Sequence, residues 1–185
     1  MRRRIIGLIC FSIFLSGCAQ PADVANAQKY NLSGLSFDYP GNWKMTFNEV
    51  NRGARNIDIE SNQSAMTYLI DLSREAVLTQ EEFDQQYVDR YKKKVASEGA
   101  VVSVGKSVTV EAEIDGQTRQ GTKNRLVVQV GDHQEIFHQI YYLYTHEQGM
   151  TIVIFQVADD DLKDTIKGFE LIWSTLHKGI DKASI

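Results

Sequence analysis

Cysteine is almost missing from this chain of 185 residues: Cys10 and Cys18 are the two present, and none follows residue 18. A domain built from the later residues therefore has no disulfide, no thiol nucleophile and no cysteine-based metal site. Long apolar runs are missing too. The longest, residues 5–17, falls short of the roughly 20 residues that cross a hydrocarbon core. Nor is there any basic excess. The formal charge is −4, and removing residues 1–17 takes away three arginines and no acid, which leaves −7. An acidic domain of this kind is a poor nucleic-acid binder.

Reaction motifs are equally scarce. The sequence contains no Gly-x-Ser-x-Gly elbow, no phosphate-cradling glycine loop and no His-Glu-x-x-His pair. His133 and His138 differ by five positions and point to opposite faces of a regular strand. His138 and His146 share a parity but stand about 26 Å apart when extended, too far for one ion. No catalytic residue, metal site or cofactor is expected. Asp159, Asp160 and Asp161 read as the cap of a helix rather than as a cation site.

What is present begins at the N-terminus. Arg2, Arg3 and Arg4 precede an apolar run over 5–15, and Leu15-Ser16-Gly17-Cys18 closes it. A charged region, an apolar region and a small-residue cleavage site in that order form an export signal. The last four residues resemble the lipobox of bacterial lipoproteins. That resemblance implies cleavage between Gly17 and Cys18, diacylation of the Cys18 thiol and acylation of the new amine. Two or three acyl chains hold a protein stably at a bilayer where one does not. The residue after the cysteine is Ala19 and not Asp. For lipoproteins of this kind that implies the outer membrane, facing the periplasm, in a cell with two membranes, and otherwise the outer face of the cell membrane.

Residues 18–29 are small and polar without periodicity and read as a flexible tether reaching on the order of 15–20 Å. A single domain is expected over 30–178, with a disordered tail at 179–185. Leu35 to Tyr39 alternates apolar and polar as a half-buried strand, Pro40-Gly41-Asn42 turns, and Trp43 to Phe47 resumes extended structure. Residues 56–60 and 66–72 are further strands. Thr79, with Glu82 three residues on, opens a helix whose apolar stripe is Phe83, Tyr87, Tyr91 and Val95. Arg90, Lys92, Lys93 and Lys94 form its basic end, read as solvated, with contact to anionic headgroups near the tether as the alternative. A meander follows: 101–114 closing at Asp115-Gly116, 117–130 closing at Gly131-Asp132, and 133–145 closing before Gly149. Residues 151–157 are apolar on both parities and belong to a central strand covered on both faces. Leu162, Ile166, Phe169, Trp173 and Leu176 mark a last helix. The expected class is α+β: an antiparallel sheet flanked by helices on both faces, an α/β/α sandwich.

The opening Gly34-Leu35-Ser36-Phe37-Asp38-Tyr39-Pro40-Gly41-Asn42-Trp43, the mid-chain helix, the meander and the closing strand–helix unit resemble the PsbP-like fold. The DcrB-like bacterial lipoproteins share that fold and also follow a lipobox. Its members are mostly binding or assembly factors, so the resemblance implies a non-catalytic interaction or assembly factor, tethered through Cys18, with a protein partner in the cell envelope. Two alternatives stand beside it. Tyr142 and Tyr144, in an aromatic run on one strand, are candidates to line a groove between sheet and helix for a small apolar or amphipathic ligand. A hydrolase whose site assembles from distant residues is the other.

Overall fold

Five strands precede the first helix, four of them where the sequence places extended structure and one, over Gln28–Leu32, ahead of these. The computed structural model describes residues 20–51, 53–73 and 78–179; the expected export signal, Cys18, Ala19 and the tail past Gly179 lie outside the described residues. In chain order the elements are β1 (Gln28–Leu32), β2 (Leu35–Tyr39), β3 (Lys44–Asn51), β4 (Ala54–Glu60), β5 (Met66–Ser73) and α1 (Gln80–Ser97). Then come β6 (Val101–Val104), β7 (Val108–Ile114), β8 (Gln117–Val130), β9 (His133–His146), β10 (Gly149–Ala158), α2 (Leu162–Ser174) and β11 (His177–Lys178). All described pairings are antiparallel. A small sheet has the order β1-β2-β11, and the large one has the order β3-β4-β5-β10-β9-β8-β6, with β7 also on β8. Over the described residues the fold is thus mostly antiparallel β-sheet with two α-helices.

The last long strand, β10, enters the middle of the large sheet between β5 and β9. It is buried at every position but Gln156. Val153, Phe155 and Val157 join Tyr142 of β9 and Phe169 and Ile172 of α2 in one cluster. Ile152 and Ile154 join Tyr141 of β9 and Phe83 of α1 in another. Strand residues of opposite parity point to opposite faces, which accounts for apolarity at both parities.

α1 starts as its sequence requires. Thr79 Oγ1 accepts from the Glu82 N–H at 3.2 Å, and a Glu82 carboxylate oxygen accepts from the Thr79 N–H at 2.9 Å. That pair satisfies two amides the helix cannot. Thr79→Ala is expected to destabilise the domain by about 1 kcal/mol, measured by urea unfolding. α2 starts differently. Asp159–Asp161 form a single 3-10 turn, and the Asp161 side chain makes no cap bond. Instead Asp161 Oδ2 accepts from Ser64 N–H at 3.1 Å and Ser64 Oγ at 2.6 Å, which ties the helix start to the β4–β5 turn. The aspartate cap expected of this run is therefore replaced by a tertiary clamp.

Two further expectations change. Residues 101–114, one run in the sequence, become β6 and β7 end to end along β8, because the chain jogs where Gly105 N–H donates to Arg125 O and Ser107 Oγ to Asn124 Oδ1. The other concerns the tether. From residue 20 onward the 18–29 segment is fastened down. Ala22 N–H donates to Asp164 O, Gly41 N–H to Asp23 O, and Asp23 N–H to Asn42 Oδ1, each at 2.9 Å. Asn42 Nδ2 donates to Pro21 O at 2.9 Å. A strap of this kind uses backbone groups, so no side-chain periodicity announces it. Gly41 lies so close under it that a Cβ there would stand 2.3 Å from Asn26 O. Gly41→Val is accordingly expected to make the 20–27 segment a fast site of limited proteolysis, where the native chain is cut slowly.

Candidate functional site

Strand register puts Asp71 of β5, Thr151 of β10 and Tyr144 of β9 in one row across the sheet. Asp71 lies in a strand whose neighbours Leu69 and Ile70 are apolar, and its carboxylate would be costly to bury alone. It is not alone. Lys178 Nζ, brought in by β11, donates to Asp71 Oδ2 at 2.6 Å and to Ser33 O at 3.1 Å. Thr151 Oγ1 donates to Asp71 Oδ1 at 2.9 Å. His146 Nε2 lies 3.2 Å from Thr151 Oγ1 and 3.4 Å from Asp71 Oδ1. The side chains are 13%, 8% and 4% exposed for Asp71, Lys178 and His146, so these are interior pairs.

A second group adjoins the first. Asp115, at the left-handed turn between β7 and β8 (φ +51°), accepts from Tyr144 Oη at 2.5 Å and pairs with His177 Nδ1 at 2.7 Å. The Arg119 guanidinium sits 5.4 Å from the Tyr144 ring centre, a cation–π distance. Asp115, Arg119, Tyr144, His146, Gln148 and Lys178 line a shallow depression of about 350 Å³. Arg119 Nε, His146 Nδ1 and Gln148 Oε1 are buried there with no hydrogen-bond partner among the described residues.

The electrostatics follow from the contacts. Burial pushes the Asp71 carboxyl up, but the bonds from His146 and Lys178 and the lysine charge outweigh it and hold it below the usual carboxylate range. Bonds from Tyr144 and His177 likewise lower Asp115. Burial and the Asp115 carboxylate push the Tyr144 hydroxyl up to about 12. A carboxyl whose folded value is depressed stabilises the fold above its unfolded value and loses that contribution as pH falls through the folded value. The urea midpoint is therefore expected to drop below about pH 4, and Asp71→Asn is expected to flatten that acid limb. An unchanged limb in the variant would contradict the assignment.

The residues singled out in the sequence divide. Tyr144 lines the depression, as does His146. Tyr142 does not: it is 2% exposed, the Trp173 ring packs edge-on at 5.4 Å, and burial pushes its hydroxyl up to about 12. Between sheet and helix Tyr142 thus packs on Trp173, while Tyr144 opens on the depression. His138 pairs with Asp159, whereas His133 is exposed at the start of β9. No group of three or more metal-ligating side chains occurs among the described residues. Gly17 and Cys18 lie outside them. Asp71, Thr151, Asp115, Arg119, His177 and Lys178 were not singled out by the sequence. The available signal was a charged residue near the end of an apolar strand, at Asp71.

This architecture is the PsbP-like fold. The solution structure of cyanobacterial PsbP (CyanoP) from Synechocystis sp. PCC 6803 superposes with a TM-score of 0.54 at 18% identity, covering 91% of this chain and 98% of that one. A protein of unknown function from Pseudomonas aeruginosa, PA94, is matched at a TM-score of 0.35 and 11% identity over 78% of this chain and 92% of that one, too slight a likeness to argue from. No protein-family model and no curated protein matches the chain.

Proposed function

We propose that this protein is a non-catalytic interaction or assembly factor of the bacterial cell envelope, held at a membrane by acyl chains on Cys18. In this reading α1 and α2 cover opposite faces of the large sheet, an α/β/α sandwich that serves as a rigid recognition body. The observation that carries the proposal is Leu15-Ser16-Gly17-Cys18 directly behind a basic and then an apolar segment. Ala19 after the cysteine favours the outer membrane, facing the periplasm, in a cell with two membranes. The polar end of the sheet supports recognition over reaction, because its carboxylates are committed to neighbours: Asp71 to Lys178 and Thr151, Asp115 to Tyr144 and His177. Photo-crosslinkers at Gln117 and at Lys163, at opposite ends of the domain, test this in intact cells. One reproducible envelope protein captured from one position and not the other is the expected result. Capture of the same abundant lipoproteins from both contradicts it.

The buried, unpartnered Arg119 Nε, His146 Nδ1 and Gln148 Oε1 around one depression favour a second reading, in which that depression takes a small polar ligand rather than the apolar one expected from the tyrosines. Native mass spectrometry of the purified chain would then show added mass that Arg119→Ala removes.

A further inference from the structure

The strap changes what a lipid anchor does. Gln20 is the first described residue, and its carbonyl accepts from Gln63 Nε2 at 3.5 Å in the β4–β5 turn. Pro21, Ala22 and Asp23 are then bonded to Asn42, Asp164 and Gly41. Cys18 stands two residues before Gln20. Whatever their conformation, two residues span at most about 7 Å. An acylated Cys18 therefore holds the end of the sheet that carries Ser61–Ser64 and the start of α2 against the headgroups, with no slack for the domain to roll over.

A second feature lies at the same end. Tyr87 of α1 accepts from Gln139 Nε2 at 3.3 Å, Gln139 Nε2 also donates to Gln156 Oε1 at 3.3 Å, and Gln156 pairs with Met66 at the start of β5. Lys94 is close enough for its charge to oppose the burial and the Glu60 carboxylate that raise the Asp58 carboxyl of β4. Lys92, Lys93 and Lys94 are all exposed. The basic end of α1 thus projects from the strand ends that the strap also marks. Clustered lysines beside a lipid anchor are drawn to anionic headgroups within a Debye length. The Asp71–Lys178 pair lies toward the other end of β5, five residues or about 17 Å along the strand from Met66.

We infer that the domain sits on the bilayer in one orientation, with the strap, the β4–β5 turn and Lys92–Lys94 against an anionic lipid surface and the Asp115–Arg119–Lys178 depression facing the aqueous side. The inference rests on the proposed acylation of Cys18 and adds the geometry. It also defines the partner: whatever meets the depression does so from the aqueous side, well above the bilayer.

The mature chain has no cysteine besides Cys18, so single fluorophores are introduced cleanly through Asn62→Cys, Lys163→Cys, Ser73→Cys and Gln117→Cys in the full, acylated protein. On phosphatidylethanolamine–phosphatidylglycerol vesicles carrying a headgroup nitroxide, quenching is expected to be several-fold stronger at 62 and 163 than at 73 and 117. A long Gly/Ser insertion after Ala19 is expected to erase most of that contrast. Changing Lys92, Lys93 and Lys94 to Glu is expected to weaken it without releasing the protein from the vesicles. Equal quenching at all four positions on acylated, vesicle-bound protein overturns the orientation and leaves the acylation standing. A chain that takes up no palmitate and stays in the supernatant overturns both.

Discussion

Asp71→Ala is expected to lower the unfolding free energy by about 3–5 kcal/mol, the range for removing one partner of a buried ion pair. The carboxylate is 13% exposed and is held by Lys178 Nζ at 2.6 Å and Thr151 Oγ1 at 2.9 Å. Without it, Lys178 keeps one described acceptor, the Ser33 carbonyl, while its own side chain is 8% exposed. The charge left behind is what costs. For a domain of this size 3 kcal/mol is about 6–12 °C in melting temperature. The paired replacement Asp71→Leu with Lys178→Met is expected to recover much of the loss, since an apolar pair of similar volume leaves no charge unpaired. A change below about 1 kcal/mol for Asp71→Ala is what a solvent-screened surface pair gives, and it would contradict the interior placement.

Phe169→Ala is expected to cost a similar 3–5 kcal/mol, by a different route. Phe169 is fully buried; its ring centre lies 4.7 Å from Phe155 of β10 and 5.4 Å from Trp43, which it meets edge-on. Next to it, Gly168 has Trp43 and Pro40 at 2.6 and 2.8 Å from where a Cβ would stand, so α2 rides closely on the Pro40–Trp43 turn. Truncating Phe169 removes aromatic contacts and leaves a cavity that this close packing cannot collapse to fill. Phe169→Leu is expected to cost roughly 1–2 kcal/mol by keeping most of the volume. Urea unfolding measures both. The fluorescence of Trp43 and Trp173 is expected to change in the alanine variant, because Phe169 touches Trp43 and Phe155, and Phe155 in turn touches Trp173.

Much of this fold was legible because local chemistry and global packing agree. The Thr79–Glu82 box opens α1 where the spacing predicts it. Asp115-Gly116 makes the two-residue turn it encodes. Residues 151–157 are apolar on both parities, and their strand runs through the sheet centre. The Tyr141-Tyr142 pair splits, as alternation requires, between Phe83 of α1 and Trp173 of α2.

The polar end of the sheet was not legible, and the reason is distance. Asp71 and Lys178 are 107 positions apart, and an aspartate in an alternating strand reads equally well as a solvent-facing residue. The strap escaped for another reason: Asn42 and Gly41 grip the backbone of Pro21 and Asp23, and backbone bonding leaves no mark on composition. The Phe37 to Trp43 stretch, part of the opening that resembles the PsbP-like fold, holds both the strap and the last helix. Its turn clamps the strap on one side, and Pro40 and Trp43 seat α2 on the other. At Asp161 a local rule lost to a tertiary one, because the Ser64 hydroxyl and amide compete for the carboxylate that would cap the helix.

Metabolic labelling with radioactive palmitate, in cells making either the native chain or Cys18→Ser, tests the central claim most directly. Label on the native protein, a processed N-terminus at Cys18 and recovery in the membrane fraction are expected, against an unlabelled, uncut precursor for the variant. A native chain that carries no label and remains in the soluble fraction would contradict it.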